Sequence, residues 1–289
     1  MLRLAVTTQA ETFDRLREPL GERGIEVGHL ATEGRTIDLT TPPAERFDVG
    51  YVFPSRTPEG TALSARHDLD WVNGRDAVRT SRNKGGVIAT LAAAGLPVPK
   101  TTMVSSPVDE ADLVAAVEEF AWPVVVKPNA TTRGVGVAKA SDIDSLLGVA
   151  DYLDLIHDYR ATGDKTFLLQ EYLPDARDYR VMVVDGDYAG AVERRLSDED
   201  RAAGRWKHNV HRGADARGIS LPSELRELAE QAASALDVAY LGVDLLVTED
   251  RTVVAETNAR PTVDTETKYV SDFYDRLAAL IRETAEKRV

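Results

Sequence analysis

The sequence predicts an α/β protein made of two or three compact lobes. Segments with strand-like patterns alternate with segments of helical spacing along the whole chain. The length of 289 residues exceeds that of one ordinary domain and is sufficient to bury a substantial core. No internal repeat, low-complexity segment or long linker interrupts this pattern.

The first part of the chain contains three strand-like runs, LRLAVTT, IEVGHL and RFDVGYVF, with a charged helical stretch after the first. These runs predict a small α/β lobe. From Asp76 to Ala94, apolar residues recur at helical spacing, which predicts a helix that Gly95 terminates. The prolines of the following LPVP favour an extended segment that leads into the strand TTMVS.

The rest of the chain continues with strands, hairpins and helices. PVVVKP, VAKA and TFLLQEYL have strand patterns. DYRVMVVDGDYAGAVERRL predicts a hairpin, because Asp185-Gly186 is a strong signal for a tight turn. PSELRELAEQAASALD is an amphipathic helix, and FYDRLAALIRETAEKR predicts the last helix.

Composition excludes several classes of protein. The chain has no cysteine, which rules out disulfides, iron–sulfur clusters and thiolate zinc sites. A formal charge of -13 argues against binding duplex nucleic acid through the general surface. No apolar run approaches the roughly 18 to 20 residues that cross a bilayer, and the opening residues predict a strand and not a signal peptide. We therefore expect a soluble cytoplasmic protein without membrane or nucleic-acid partners, and the sequence leaves a homo-oligomer open.

The stretch GVDLLVTEDRTVVAETN predicts an acidic hairpin. With a three-residue loop at residues 249–251, Asp244 lies opposite Glu256, and Asn258 follows on the same face. Opposed acids destabilise a sheet, so a cation is expected beside them. Carboxylate and amide oxygens favour Mg²⁺ or Mn²⁺, as one ion or as two bridged by Glu256. The alternatives are a solvated outer face and a one-residue register slip that separates the acids.

VVVKPNATTRGVGVAK predicts a hairpin flap with Gly134 and Gly136 at its loop. It lacks the ending of a P-loop, and a strand follows where a dinucleotide-binding fold needs a helix. The glycines would allow backbone N–H groups to approach phosphate oxygens, and Lys127 would meet a phosphate as a point charge. The alternative is an ordinary turn.

RAAGRWKHNVHR, at residues 201–212, contains no acid although the protein is acidic. Such a cluster favours an anion clamp for triphosphate or a carboxylate substrate, against the alternative of a solvated loop. His208 and His211 have no evident third metal ligand, which argues against zinc.

These features, in this order, resemble the ATP-grasp superfamily and within it most closely the RimK-type α-L-glutamate ligases. The matching segments are SRNKGG, VVVKPNATTRGVGV, LLQEYL, RDYRVMVVDG, ERRL, WKHNVHRG and GVDLLVTEDRTVVAETNARP, which span Ser81 to about Pro261. The resemblance implies an ATP-grasp fold with an N-terminal α/β lobe (residues 1–80), a central lid with the flap (81–169) and a C-terminal lobe with the metal site (170–289). It also implies an ATP- and Mg²⁺-dependent carboxylate–amine ligase that works through an acyl phosphate.

The resemblance further implies roles for individual residues. Asp244, Glu256 and Asn258 match the metal ligands, and Arg180 and Arg194 would contact phosphoryl or acyl-phosphate oxygens. The residues implied to bind ATP are Lys84, Lys127, Gly134, Gly136, Glu171, Tyr172, Asp178, Lys207, His208 and Asn209. Within this set Glu171 and Tyr172 lie at the adenine, and Asp178 reaches the ribose.

The chain departs from the glutamate ligases in two places. After Asn258, ARPTVDTETKY stands where a small residue and Pro-Gly are usual, and Arg133 stands where Gln is common. The departures point to a different substrate pocket, with Arg212 and Arg260 as candidate substrate contacts. Substrates would be a small-molecule or peptide carboxylate and an amino acid, which need not be glutamate. The alternatives are a nucleotide-binding sensor or scaffold without turnover, and a dipeptide or other carboxylate ligase.

Overall fold

The computed structural model describes residues 1–7, 11–131, 134–157, 165–208 and 213–287. Within these ranges, strands form a three-stranded, a four-stranded and a five-stranded sheet. No helix there combines the length and apolar character needed to cross a bilayer. The strands are β1 Leu2–Val6, β2 Ile25–His29, β3 Val49–Tyr51, β4 Thr101–Ser105, β5 Val124–Pro128, β6 Ala138–Ala140, β7 Thr166–Glu171, β8 Arg177–Val184, β9 Asp187–Arg195, β10 Asp215–Gly218, β11 Tyr240–Val247 and β12 Thr252–Asn258. The helices are α1 Glu11–Glu22, α2 Thr57–His67, α3 Arg75–Arg82, α4 Lys84–Ala93, α5 Glu110–Val117, α6 Ile143–His157, α7 Asp198–Ala202, α8 Ser223–Leu236 and α9 Phe273–Glu286, with a 3-10 turn at Glu266–Lys268.

The N-terminal sheet has the order β2-β1-β3, and β1 runs parallel to both neighbours. The parallel pairing requires a crossover, which α1 supplies between β1 and β2. Helix α9, from the other end of the chain, completes this core: Phe273, Leu277 and Ile281 are buried in the same cluster as Leu4 and Leu16. The last helix therefore joins the first lobe to the C-terminal part of the chain.

The single helix predicted from Asp76 to Ala94 is wrong in one respect, because it breaks at Asn83 into α3 and α4. The Asn83 side chain accepts a hydrogen bond from the Gly86 N–H (3.0 Å) and so caps α4. The same oxygen accepts from Asn129 Nδ2 (3.0 Å), just after β5. This break makes Lys84 the first residue of α4 and fixes it beside the end of β5.

The four-stranded sheet, in the order β4-β7-β5-β6, is antiparallel throughout. β5 and β6 form the predicted hairpin, in which Val125 pairs with Lys139. Gly134 and Gly136 lie in its loop with φ of 66° and 74°, values that side chains with a Cβ rarely adopt. The predicted lobe boundary between residues 169 and 170 falls inside β7, which ends at Glu171.

The five-stranded sheet has the antiparallel order β10-β9-β8-β11-β12. The β8–β9 turn is the predicted two-residue turn, with Asp185 and Gly186 both at positive φ. Helix α8 covers one face: Ala229 and Ala232 pack with Val181, Val243 and Leu245 in a second core. The opposite face therefore remains for the polar side chains of β8, β9 and β11.

The β11–β12 hairpin confirms that Asp244 pairs with Glu256, but the predicted three-residue loop is wrong. The Thr248 N–H donates to the Arg251 carbonyl (2.9 Å), and this closes a tighter turn. A β-bulge then shifts the register between Asp244 and Leu245 and restores the opposed acids. As a result of the bulge, Val254 lies buried in the α8 core, although strict alternation from Glu256 would place it on the same face as the acids.

Candidate active site

A cleft of about 740 Å³ lies between the four-stranded and the five-stranded sheet. Its walls come from β5, the flap loop, the residues after β7, strands β8, β9, β11 and β12, and the segment after α7. Ten of the residues proposed from sequence line it: Lys127, Gly134, Glu171, Tyr172, Asp178, Arg194, Lys207, His208, Asp244 and Glu256. The acidic hairpin, the flap and the basic loop, which are far apart in the sequence, thus share one cavity.

Asp244 is buried and accepts two hydrogen bonds from Arg180, at 2.7 Å from Nε and 2.8 Å from Nη2. The two residues are ladder partners on β11 and β8. Arg194 Nη2 lies 2.9 Å from the second Asp244 oxygen and also contacts Asp178 at 2.5 Å. Two cations thus surround a buried carboxylate on the cleft face.

The ionisation states of Asp244 and Arg194 follow from the oppositely charged groups beside them. Burial by itself would raise the pKa of Asp244, but the guanidinium groups of Arg180 and Arg194 lower that pKa to about 2. Burial opposes the charge of Arg194 as well, yet Asp244 and Asp178 raise its pKa above the usual value. Both groups are therefore ionised at neutral pH. His208 Nδ1 lies 3.5 Å from the other Asp178 oxygen and closes the network toward the basic loop.

Two lysines approach the acidic pair from the opposite side. Lys84 Nζ lies 3.4 Å from Glu256 Oε1 and donates to the Thr131 carbonyl. Lys127 is buried on β5, and that burial lowers its pKa to about 8, with Lys84 lowering it further and Glu256 opposing the change. Around the acids, the sheet side is therefore lined by arginines and the flap side by lysines.

Asp244, Glu256 and Asn258 present hard oxygen atoms at neighbouring positions of the hairpin. Asn258 Oδ1 accepts from the Arg260 N–H (2.9 Å), and Asp244 is engaged by guanidinium groups, which leaves the Glu256 side chain, 39% exposed, as the most accessible oxygen donor. Carboxylate and amide oxygens suit Mg²⁺ or Mn²⁺, so the donor set fits. Among the described residues no group of three acidic or histidine side chains could hold a metal ion, and two of the three predicted ligands here are acids.

An aromatic wall occupies another part of the cleft. The rings of Tyr172 and Trp206 meet edge to face with centroids 5.8 Å apart. Lys139 Nζ lies 4.5 Å from the Tyr172 centroid and 5.5 Å from that of Trp206. Lys207 packs on Trp206 and donates to the Val137 carbonyl, which ties the basic loop to the flap loop just before β6. Flat apolar surface and positive charge therefore adjoin each other.

The acids predicted at the nucleoside have partners of their own. Glu171 Oε2 lies 2.5 Å from Arg251, and Oε1 accepts from the Lys100 N–H at 2.7 Å. Asp178 forms an ion pair with Arg194. Either carboxylate would have to share or exchange these partners when it contacts a ligand.

Other predicted residues lie beside the cleft or outside the described ranges. Lys84 and Arg180 reach it through Glu256 and Asp244, whereas Gly136 packs on Pro128 and Arg260 lies beyond the hairpin end. A Cβ on Gly136 would stand 2.7 Å from Pro128 Cγ. Arg133, Asn209, His211 and Arg212 lie outside the described residues.

Two cleft residues were missed from the sequence, Lys139 and Trp206. Lys139 pairs with Val125, two residues from Lys127, so strand periodicity across the flap would have found it. Trp206 stands immediately before Lys207 in an acid-free loop, where a large aromatic side chain is a further signal.

The fold and this cleft define an ATP-grasp protein. D-cycloserine synthetase DcsG has the same fold, with a TM-score of 0.72 and 20% identity over 99% of this chain and 100% of that one. D-alanine–D-alanine ligase from Bacillus anthracis, solved with ATP, has a TM-score of 0.69 and 16% identity over 99% and 98% of the two chains. At these identities the likeness is one of fold.

Residues 81–281 match the family model described as the RimK-like ATP-grasp domain. The chain therefore belongs to the RimK-like ATP-grasp family, and the predicted resemblance and fold are confirmed. A probable alpha-L-glutamate ligase from Enterobacter sp. (strain 638) is 33% identical over 187 residues, 64% of this chain. That alignment spans 58% of the relative's length.

Proposed function

We propose that this protein is an ATP- and Mg²⁺-dependent ligase that activates a carboxylate and joins it to the amine of an amino acid. The observation that carries the proposal is the convergence of the opposed acids with lysines and arginines in the one cleft that also holds the aromatic wall. ATP needs each of these: a flat surface for the base, cations for the phosphates, and hard oxygens for the metal. Membership of a family whose named relatives are ligases adds support.

In the proposed complex, adenine lies against Tyr172 and Trp206. Lys139 packs on the same two rings and would face the base or the α-phosphate. The remaining nucleotide contacts are assigned to Lys84, Lys127, Gly134, Gly136, Glu171, Asp178, Lys207, His208 and Asn209. The three lobes, divided near residues 80 and 169, would then enclose ATP between the lid and the C-terminal lobe.

The metal would be held by Asp244, Glu256 and Asn258, and it supplies charge neutralisation at the transferred phosphoryl group. Arg180 and Arg194, which pair with Asp244, would neutralise negative charge on the phosphoryl oxygens. Both arginines bind Asp244 in the structure, and if that carboxylate served as a metal ligand, Arg180 and Arg194 would be available to donate to the phosphoryl oxygens.

The chemistry follows from the weakness of a carboxylate as an electrophile. A carboxylate oxygen accepts the γ-phosphoryl group, and ADP leaves. The amine nitrogen then attacks the carbonyl carbon, the C–O bond to phosphate breaks, and the amine loses its proton. Positioning and charge neutralisation supply most of the catalysis in such transfers. Glutamate is the first amino acid to test, because relatives of this chain bear the name of glutamate ligases.

The test combines ADP release with hydroxylamine trapping of an acyl phosphate, in the presence of amino acids and a cell-extract acceptor pool. Glu256→Gln should abolish substrate-dependent ADP release. Glu249→Gln, in the exposed turn of the same hairpin, is the matched control and should retain it. Unchanged turnover in Glu256→Gln would exclude the metal assignment, whereas tight ATP binding without any ADP would favour a nucleotide sensor.

A further inference from the structure

Two side chains from the region of α3 hold the backbone on both sides of Asn258, a proposed metal ligand. The Ser81 hydroxyl donates to the Thr257 carbonyl (3.0 Å) and accepts from the Ala259 N–H (2.9 Å). Asn73, two residues before α3, donates to the Ala259 carbonyl at 2.6 Å. Side chains at least 176 positions earlier in the chain therefore fix the backbone that carries Asn258.

Ser81 bonds the free edge of the five-stranded sheet. β12 is the last strand in the order of that sheet, so its outer backbone groups have no neighbouring strand to pair with. Thr257, Ala259 and Ser81 are nevertheless buried. Buried N–H and C=O groups need hydrogen-bond partners. The Ser81 hydroxyl supplies a partner for one group of each kind, which fixes the end of β12 against α3.

Asn73 joins the two strands of the acidic hairpin at their open end. Its side chain is 1% exposed. Besides its bond to Ala259, Nδ2 donates to the Tyr240 carbonyl, and Oδ1 accepts from the Tyr240 N–H at 3.3 Å. Tyr240 begins β11, and Ala259 follows the end of β12. One buried amide thus holds both strands with three hydrogen bonds to the backbone.

The orientation of the Asn258 amide depends on this backbone. Asn258 Oδ1 accepts from the Arg260 N–H at 2.9 Å, so the path of the chain through Ala259 determines where that oxygen points. A carbonyl oxygen has two lone pairs, and Oδ1 therefore keeps an acceptor site for a metal ion. Ser81 and Asn73 act on the side chain of Asn258 through the one residue that separates it from Arg260.

The same stretch of chain also reaches the second exposed ligand candidate. Lys84, three positions after Ser81, has its Nζ 3.4 Å from Glu256 Oε1. Glu256 precedes Asn258 by two positions on β12. The junction of α3 and α4 therefore contacts the hairpin beside two of the three proposed metal ligands.

We propose that Ser81 and Asn73 are positioning residues for the metal: through the backbone of Ala259 they hold the Asn258 amide where it can bind Mg²⁺. This role rests on the proposed function, because it assigns part of the metal affinity to residues that do not touch the metal. Groups that orient metal ligands commonly change metal affinity by roughly 10–100-fold. Metal affinity would thereby depend on the packing of α3 against β12.

Calorimetry with a non-hydrolysable ATP analogue measures this role without catalysis. The analogue is titrated into the full chain twice, once with excess Mg²⁺ and once with EDTA, and the ratio of the two affinities is the Mg²⁺-dependent gain. Ser81→Ala should lower this gain roughly tenfold and leave the affinity in EDTA unchanged. Ser81→Thr keeps the hydroxyl and should retain the gain of the parent protein.

Ser64→Ala is the matched control. The Ser64 hydroxyl, on α2, also donates to a carbonyl, that of Leu69 (2.9 Å), and accepts from an N–H, that of Trp71 Nε1 (2.9 Å). Both alanine substitutions remove one donated and one accepted hydrogen bond, so both should lower the melting temperature of the protein without ligands. The Mg²⁺-dependent gain should fall in Ser81→Ala and stay unchanged in Ser64→Ala.

Three results would overturn the positioning role. These are a parent-like gain in Ser81→Ala, an affinity that this variant loses equally with and without Mg²⁺, and a gain in Ser81→Thr as low as that in Ser81→Ala. A parent protein without any Mg²⁺-dependent gain would refute the proposed metal site and the positioning role together.

Two outcomes separate this role from the ligase. A gain that depends on Ser81, without ADP formation in the presence of any substrate, refutes the ligase alone. Substrate-dependent ADP formation together with a gain that does not depend on Ser81 refutes the positioning role alone.

Discussion

Replacement of Lys127 by methionine should stabilise the protein while it removes nucleotide binding. Lys127 is 7% exposed, and its pKa falls from 10.5 to about 8 mainly because burial penalises the ammonium group. The difference of roughly 2.5, at about 1.4 kcal/mol for each pKa unit, corresponds to about 3 kcal/mol for keeping the lysine charged at pH 7. Methionine has a similar length without a charge, so most of this cost should disappear.

The stability of the parent protein should depend on pH, and the direction of the change follows from the two pKa values of Lys127. In the unfolded chain Lys127 keeps its proton up to about pH 10.5, whereas the folded protein releases it above about pH 8. The unfolded state therefore binds more protons in this window, so the stability of the parent protein rises as the pH increases from about 8 to 10.5. The methionine variant lacks this term. Its advantage should be greatest at pH 7 and should shrink through the window.

Thermal unfolding of both proteins from pH 7 to pH 10.5 measures this difference. A chain of this size gains roughly 2–4 °C per kcal/mol, so Lys127→Met should melt at least about 5 °C higher at pH 7. Added ATP and Mg²⁺ should raise the melting temperature of the parent protein and leave that of the variant unchanged. A variant that melts at or below the parent temperature at pH 7, or a difference that does not change with pH, would refute the account of Lys127 as a strained buried cation.

Two further substitutions test the cleft. Arg194→Met leaves Asp178 and Asp244 without their shared buried cation and should destabilise the protein by about 3–5 kcal/mol in the same melting assay. Arg201→Met is the control, because it removes only an exposed ion pair and should cost about 1 kcal/mol or less. Equal losses in the two variants would contradict the network. Trp206→Ala should weaken ATP binding roughly three- to tenfold, as measured by calorimetry. Trp122→Ala, at the surface, is the control and should leave the affinity for ATP unchanged. Identical affinities in the two variants would exclude Trp206 from the proposed base-binding wall.

Local signals in the sequence were sufficient for several elements that position the site. The Asp-Gly turn between β8 and β9 and the β5–β6 flap both agree with the structure. Each depends on turn chemistry or on the period of two, which neighbouring residues determine. The order of these elements along the chain then carried the family resemblance, and with it the fold.

Features that depend on distant contacts were not predictable in the same way. In the sequence, Asn83 lies within a helical pattern and gives no signal of a break. Its side-chain oxygen caps α4 and also accepts a hydrogen bond from Asn129, which is distant in the sequence. The bulge between Asp244 and Leu245 compensates for a turn that is tighter than the predicted loop, so two departures from the expected pattern cancel at the acidic pair. Hydrophobic periodicity carries no information about either, because neither changes which residues are apolar.

Nearby cations allow the sheet to carry an acidic pair at a buried position. Asp244 alone would be costly to ionise there, yet its pKa is lowered to about 2, because Arg180 and Arg194 lie within 3 Å of its oxygens. Among the described residues, Glu256 pairs with Lys84 at 3.4 Å, acts on Lys127 over a longer range, and remains partly exposed. The two acids are thus unequal: one is fully compensated by protein cations and the other is open. If this pair holds a divalent ion, Glu256 would offer the accessible carboxylate, whereas Asp244 would first have to give up its contacts with Arg180 and Arg194.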